Sequence, residues 1–249
     1  RGLPFDASSA RELLLTLETE VNALKGRLDE RVLQLGLRFP QKKGSRNKIF
    51  NPMSGRQVKR VFAAMGTEIQ DTRDETLQEL ASKGNAFAAE LAAYLKVYKQ
   101  VGFVKGWLLD QHLFDDRVHT TYVQIMRNNT GRFSSHSPNL QQIPAATKFR
   151  SLFKANSGRK IVGADYAAVE LRIAAEICGE TRMIRVFSGP NPDLHTQTAA
   201  IISGKKPEDI SKVERNQAKA TNFGLIYGCG ANTLTIQARS SYGVEMTLK

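Results

Sequence analysis

Ser211-Lys-Val-Glu-Arg215-Asn-Gln-Ala-Lys219-Ala-Thr-Asn-Phe223-Gly-Leu-Ile-Tyr227-Gly228 is the stretch on which the reading of this chain turns. Arg215, Lys219, Phe223 and Tyr227 recur at every fourth position. At about 100° per residue, each step drifts by only about 40°, so the four share one helical face. Two cations lie toward its start and two aromatics toward its end. Such a face is suited to gripping a triphosphate and stacking on a base. An amphipathic helix with ordinary solvated charges accounts for the cations, but not for aromatics continuing the same stripe.

Upstream, Lys160-Ile-Val-Gly-Ala-Asp165 reads as a short buried strand ending in a carboxylate. Tyr166-Ala-Ala-Val-Glu170-Leu-Arg-Ile-Ala-Ala-Glu176 then reads as a turn into a helix. Asp165 is open to two readings at this level. It is a helix cap or surface residue, or it holds a divalent cation against bound phosphates. What precedes it favours a phosphate setting. From Arg117 to Ala164 there is no Asp or Glu, while eight bases occur: Arg117, Arg127, Arg132, Lys148, Arg150, Lys154, Arg159 and Lys160. Random surface mixes both signs, so an acid-free run of this length suggests a surface laid against phosphates.

The first 110 residues read as mostly helical. A helix over about 6–35 carries Leu17, Val21, Leu24, Leu28 and Val32 on one stripe, with Ser9 and Glu12 as its capping box. Ser54 is the expected cap of a short helix ending at Gly66, and Thr72 with Glu75 the expected capping box of a helix through Leu80. A further helix runs over about 85–107. Between the first two lies a basic stretch with Lys42, Lys43, Arg46 and Lys48. It is equally a solvated loop or a contact to a DNA backbone.

Bulk properties agree with these local readings. The 249 residues are 41% hydrophobic, enough for a real core, and the formal net charge is +12. A globular chain that basic usually meets a polyanion, although a basic surface alone has other uses. Cys178 and Cys229 sit in unrelated contexts without zinc-ligand spacing, so buried reduced thiols in a cytoplasmic protein are expected. No apolar run approaches the roughly 20 residues that span a bilayer, so no membrane partner is expected. A start at Arg1 and an end at Lys249 read as the marks of an excised piece.

Four segments together resemble family A (Pol I-like) DNA polymerases. Asp165-Tyr-Ala-Ala-Val-Glu170-Leu-Arg172 is similar to the first catalytic motif. Arg215-x3-Lys219-x3-Phe223-x3-Tyr227-Gly228 is similar to the fingers-helix motif. Thr130-Gly-Arg132-Phe-Ser-Ser-x2-Pro138-Asn139-Leu-Gln141-Gln-Ile-Pro144 resembles the primer-template segment, and Asp193-Leu-His195-Thr196 the segment before the fingers helix. The resemblance covers about residues 110–240.

It implies an α+β, mostly helical right-hand polymerase fold. The thumb would span 1–112, part of a palm with antiparallel sheet 113–178, and part of the fingers 179–249. It implies that Asp165 and the Tyr166 carbonyl bind two magnesium ions, and that Glu170 excludes a 2′-hydroxyl. Arg215, Lys219 and His195 would hold the triphosphate of a dNTP. Phe223 would stack on its base and Tyr227 would mark the insertion position. Arg132, Asn139 and Gln141 would touch primer-template DNA. The expected partners are primer-template, dNTPs and the remainder of the polymerase chain. Ala167 and Ala168 replace a usual polar pair, and Asn216 a common second Arg. The family's later His-Asp-Glu motif has no counterpart after Tyr227, so this chain alone is expected to bind primer-template without extending it. The rival readings are a DNA-binding protein without catalysis and a single-subunit RNA polymerase. Glu170 argues against the latter, since ribonucleotide chemistry has no use for such a gate.

Overall fold

The computed structural model describes residues 2–39, 50–124 and 131–242. Lys42, Lys43, Arg46 and Lys48 of the basic stretch, and Arg127 of the acid-free one, lie outside the described residues. The contacts divide the chain into two units, Arg1–Val162 and Gly163–Lys249.

In the first unit, β1 (Leu3–Pro4) is followed by α1 (Ala7–Gln34), α2 (Gly55–Ala64), α3 (Asp74–Ser82) and α4 (Ala86–Trp107). The expected stripe on α1 is the one that packs. Leu17, Leu24, Leu28 and Val32 are buried and Val21 is half-buried, against an α4 that buries Phe87, Leu91, Tyr94, Val101 and Trp107. The cap of α2 falls where expected, and α4 is capped in the same way. Ser54 accepts from the Gln57 amide and Asn85 from the Ala88 amide, each satisfying an orphan N–H of the first turn.

Two capping expectations are corrected. Asp6, not Ser9, caps α1, accepting from the Ser9 amide at 3.0 Å. A carboxylate three residues earlier is the better acceptor, and Ser9 turns its hydroxyl to the same group. At α3 no side chain caps the helix; Asp71 accepts from the Arg73 amide and from the Thr76 hydroxyl instead. Its reach two residues forward shapes the loop before the helix.

Aromatic rings tie the ends of α4 to the rest of the unit. Phe87 meets Phe62 at 5.3 Å and Phe50 at 6.0 Å, while Trp107 meets Phe153 at 5.3 Å and Phe5 at 6.1 Å. A small antiparallel sheet orders β1 beside β3 (Arg117–Val118), which pairs in turn with β2 (Leu113–Phe114). A second antiparallel pair joins β4 (Thr121–Val123) to β5 (Ser134–His136), and the short α5 (Thr147–Arg150) follows.

The stretch 160–165 is not the buried strand expected. It has no regular structure, and Ile161 and Val162 are 57% and 90% exposed. A strand exists by pairing, and among the described residues none pairs with this segment. Cys178 is exposed and Cys229 half-buried, so the buried-thiol expectation is also corrected.

The second unit is helical: α6 (Val169–Ile177), α7 (Thr181–Ser188), α8 (Leu194–Ser203), α9 (Lys212–Ile226) and α10 (Ala231–Tyr242). The helix that opened the sequence reading is α9. Ser211 and Glu214 close a full capping box at its start. It packs against α8 on one side and α10 on the other. The approach to α10 is close: a Cβ at Gly224 would stand 2.6 Å from Leu234 Cδ1. Among the described residues, no helix is long and apolar enough to cross a membrane.

Candidate nucleotide site

The principal candidates of the second unit other than Tyr227 line one cavity of about 860 Å³. The turn before α6 contributes Asp165 and Tyr166, and the first turn of α6 Glu170; the start of α8 contributes Asp193 and His195; α9 contributes Arg215, Lys219 and Phe223. The i, i+4, i+8 spacing thus brings three side chains of α9 to one wall. Tyr227, the fourth member of the predicted face, is not among the lining residues. It forms the C-cap of α9 and donates its phenol to Glu170. At the helix end the backbone leaves the α conformation, so the repeat no longer holds its side chain on the wall.

The Asp165 turn is fixed from below. Ala168 is left-handed at φ 52°, a conformation that turns the chain into α6. Arg172 donates to the Ala167 carbonyl at 3.0 Å and to the Phe187 carbonyl at 3.3 Å, and lies 4.6 Å from the Phe187 ring centroid. Asp165 and Tyr166 are both exposed, Tyr166 to 83%.

Two residues matter here to which the sequence assigned no role. Asp193 caps α8 by accepting from the amides of His195 and Thr196 at 3.2 and 3.4 Å, and from the Thr196 hydroxyl at 2.7 Å. The same carboxylate receives Arg215 through Nε at 2.7 Å and Nη2 at 3.3 Å. Burial opposes its ionisation, but the hydrogen bonds from Arg215 and Thr196 outweigh that and hold its carboxyl down to about 2. The signal was an Asp immediately before an apolar helical run, the pattern of an N-cap. The second residue is Asn222, whose amide nitrogen lies 3.1 Å from His195 Nδ1 and 3.1 Å from the Thr198 hydroxyl. His195 is only 7% exposed, and its ring centroid is 5.6 Å from that of Phe223. Burial pushes its pKa below the usual value; Arg215 and Lys219 add to this, and Asp193 opposes it.

The chemistry of the donor set limits what a metal finds here. Asp165 is a single exposed carboxylate, and Glu170 already accepts from Tyr227. Among the described residues no group of three or more His, Cys, Asp or Glu is placed to hold an ion. Two hard cations take six or so oxygen ligands each and share carboxylates between them. The described residues do not make such a two-ion site.

In the first unit, Asn139 and Gln141 stand in one loop. Asn139 accepts from the Gln141 amide at 2.9 Å, and Gln141 donates to the Phe133 carbonyl at 2.9 Å. Arg132, on the other side of β5 in the chain, is exposed. The loop hangs on Ser135, whose hydroxyl accepts from the Leu140 amide at 2.9 Å. Not every base of the acid-free stretch faces outward for a ligand. Arg117 donates to the Gly2 carbonyl at 2.9 Å, and Lys154 pairs with Asp6. Lys148, Arg150, Arg159 and Lys160 are exposed.

The comparisons agree with one another. DNA polymerase I of Aquifex aeolicus is 44% identical over 141 residues, covering 57% of this chain and 24% of that protein. The thermostable DNA polymerase I of Thermus thermophilus is 32% identical over 253 residues, covering 94% of this chain and 28% of that protein. This chain therefore spans about a quarter of the length of these relatives. Among solved structures, the POL domain of Pol1 from M. smegmatis, in complex with DNA primer-template and dNTP, matches with a TM-score of 0.79. That match has 25% sequence identity and covers 97% of this chain and 42% of that one. The mostly helical fold with small antiparallel sheets is thus a polymerase-domain fold. Membership of the family implies a divalent metal in general. The family model for DNA polymerase family A matches residues 18–243, and the chain belongs to that family.

Proposed function

We propose that this chain is part of the polymerase module of a DNA-directed DNA polymerase, and that its second unit receives the incoming dNTP. One observation carries the reading: Arg215, Lys219 and Phe223 of α9 and His195 of α8 line the same cavity as Asp165 and Glu170. Cations and a buried imidazole there meet a triphosphate, an aromatic face meets a base, and a carboxylate stands where a sugar would be sorted. In phosphoryl transfer the protein mainly positions the reactants and stabilises charge. Arg215 offers a planar fork and Lys219 a point charge to the phosphates. Phe223 stacks without a hydroxyl, and Glu170 excludes a 2′-hydroxyl. Tyr227, bonded to Glu170, steadies that gate. Asp165 and the Tyr166 carbonyl are this chain's share of the ligands for two magnesium ions.

Under the same proposal residues 1–112 are thumb, 113–178 part of a palm and 179–249 part of the fingers. Arg132, Asn139 and Gln141 touch primer-template, and Lys42, Lys43, Arg46 and Lys48 approach its backbone.

The test is a titration of the 249-residue chain with a dNTP, followed by fluorescence or calorimetry. Arg215→Ala and Lys219→Ala should each weaken binding by about tenfold or more, since a hydrogen bond to a charged group contributes ~1.5–3 kcal/mol. Lys83→Ala, in the first unit beside Glu79, serves as the control and should change nothing. Equal affinity in all four proteins removes the nucleotide reading.

A further inference from the structure

Of the two ring nitrogens of His195, Nδ1 is the one that faces Asn222. The Asn222 amide nitrogen lies 3.1 Å from Nδ1, and it donates to the Thr198 hydroxyl at 3.1 Å as well. His195 and Thr198 are three residues apart on α8, so both sit on the face that packs against α9. An amide NH2 only donates, so the ring nitrogen opposite it must accept. A neutral imidazole with a bare Nδ1 carries its proton on Nε2.

We propose that Asn222 is a positioning residue, which by donating to Nδ1 of His195 holds that ring in the tautomer that offers Nε2–H to the cavity. The inference rests on the proposed function, in which the cavity takes a triphosphate. Phosphate oxygens are acceptors. A neutral imidazole with its proton on Nδ1 would turn a lone pair toward them, acceptor against acceptor. A ring so buried, with Arg215 and Lys219 near it, favours the neutral form, and Asp193 opposes this only in part. The tautomer therefore decides whether His195 attracts or repels an anion, and one amide of α9 sets it. Asn222 lies outside the stripe of Arg215, Lys219 and Phe223, which explains why the spacing argument does not find it.

Imidazole 15N spectra of the histidine-labelled 249-residue chain test this directly. There are only four histidines, and His195→Gln assigns the one that matters. At a pH where the ring is neutral, Nε2 should carry the proton and Nδ1 should resonate as a bare, pyridine-type nitrogen. Free imidazole also leans toward Nε2–H, so Asn222→Asp supplies the attribution. Its carboxylate accepts rather than donates, and Nδ1 should shift to the protonated, pyrrole-type position. The resonances of His112, His119 and His136, all in the first unit, report whether the variant remains folded there, and the far-ultraviolet circular dichroism reports the helices. A proton on Nδ1 in the unsubstituted chain overturns the proposal, as does a bare Nδ1 in Asn222→Asp. Inorganic tripolyphosphate separates this inference from the reading beneath it. A shift of Nε2 on titration supports both. The expected tautomers with no such shift uphold the role of Asn222 and count against the nucleotide site.

Discussion

Asp193 does two jobs with one carboxylate, and substitution can separate them. Asn retains the side-chain oxygen that caps α8, whereas it loses the charge that pairs with Arg215. Asp193→Ala loses both. The cap contributes about 1 kcal/mol. The ion pair, with both partners more than a third exposed, contributes less than about 1 kcal/mol after solvent screening. Thermal unfolding should therefore rank the chain above Asp193→Asn and Asp193→Ala lowest. The pH dependence has a definite sign. A carboxyl held at about 2 when folded, against 3.8 ordinarily, stabilises the fold above about pH 4 and loses that contribution as pH falls toward 2. The gap between the chain and Asp193→Asn should be constant at neutral pH and close across that window. A gap that instead widens in acid would show that the pair is not what lowers the carboxyl. This residue also shows where sequence reading stops. Arg215, Lys219 and Phe223 announce themselves by spacing, because a helix turns regular intervals into a shared face. Asp193 and Asn222 act through partners on a different helix, 22 and 27 residues away, and no local pattern encodes such a meeting.

At the scale of elements, period and packing agree where burial decides, and part where termini do. The stripe on α1 is legible because its residues fill the groove against α4, and the physical content of that statement is testable within one helix. Leu28 is fully buried and Leu33, five residues on, is 69% exposed. Leu28→Ala should cost about 2–5 kcal/mol through lost burial and the cavity left behind, while Leu33→Ala should stay within ~0.5 kcal/mol. Urea unfolding of both variants checks this, and equal costs would mean that α1 does not bury the expected face. Helix ends are less legible because several polar residues near a start compete for the same amides. Ser9 and Asp6 both qualify at α1, and the carboxylate takes the role. The stretch 160–165 fails for a different reason. Its apolar composition is that of a strand, yet a strand is a property of a pair, and composition says nothing of whether a neighbour lies alongside.

For the whole molecule the governing quantity is the charge of +12 and its placement. The acid-free stretch from Arg117 to Ala164 suggested a single phosphate-facing surface, and the structure divides its described bases between two tasks. Arg117 and Lys154 are spent on the fold, tying the amino-terminal strand region to the residues around 117 and 154. Lys148, Arg150, Arg159 and Lys160 remain exposed, as does Arg132 just before β5. Among the described bases of this stretch, binding of primer-template by the 249-residue chain should follow the second group. Affinity should fall with salt by roughly 0.9 log unit per log unit of salt for each phosphate neutralised. Arg150→Ala and Arg159→Ala should each lower that slope by about one while leaving sequence preference slight, because phosphate contacts position a protein without reading bases. Arg117→Ala should instead lower the unfolding temperature, since it removes the guanidinium that bonds the Gly2 carbonyl. Primer extension by the same chain with magnesium and dNTPs should be absent, as Asp165 alone supplies too few oxygens for two ions in line with the leaving group. A fluorescence-anisotropy titration at several salt concentrations, run beside the extension assay, decides both points. Extension that Asp165→Ala abolishes would show that further ligands are present in this chain, and salt-insensitive binding would remove the case for its basic surface.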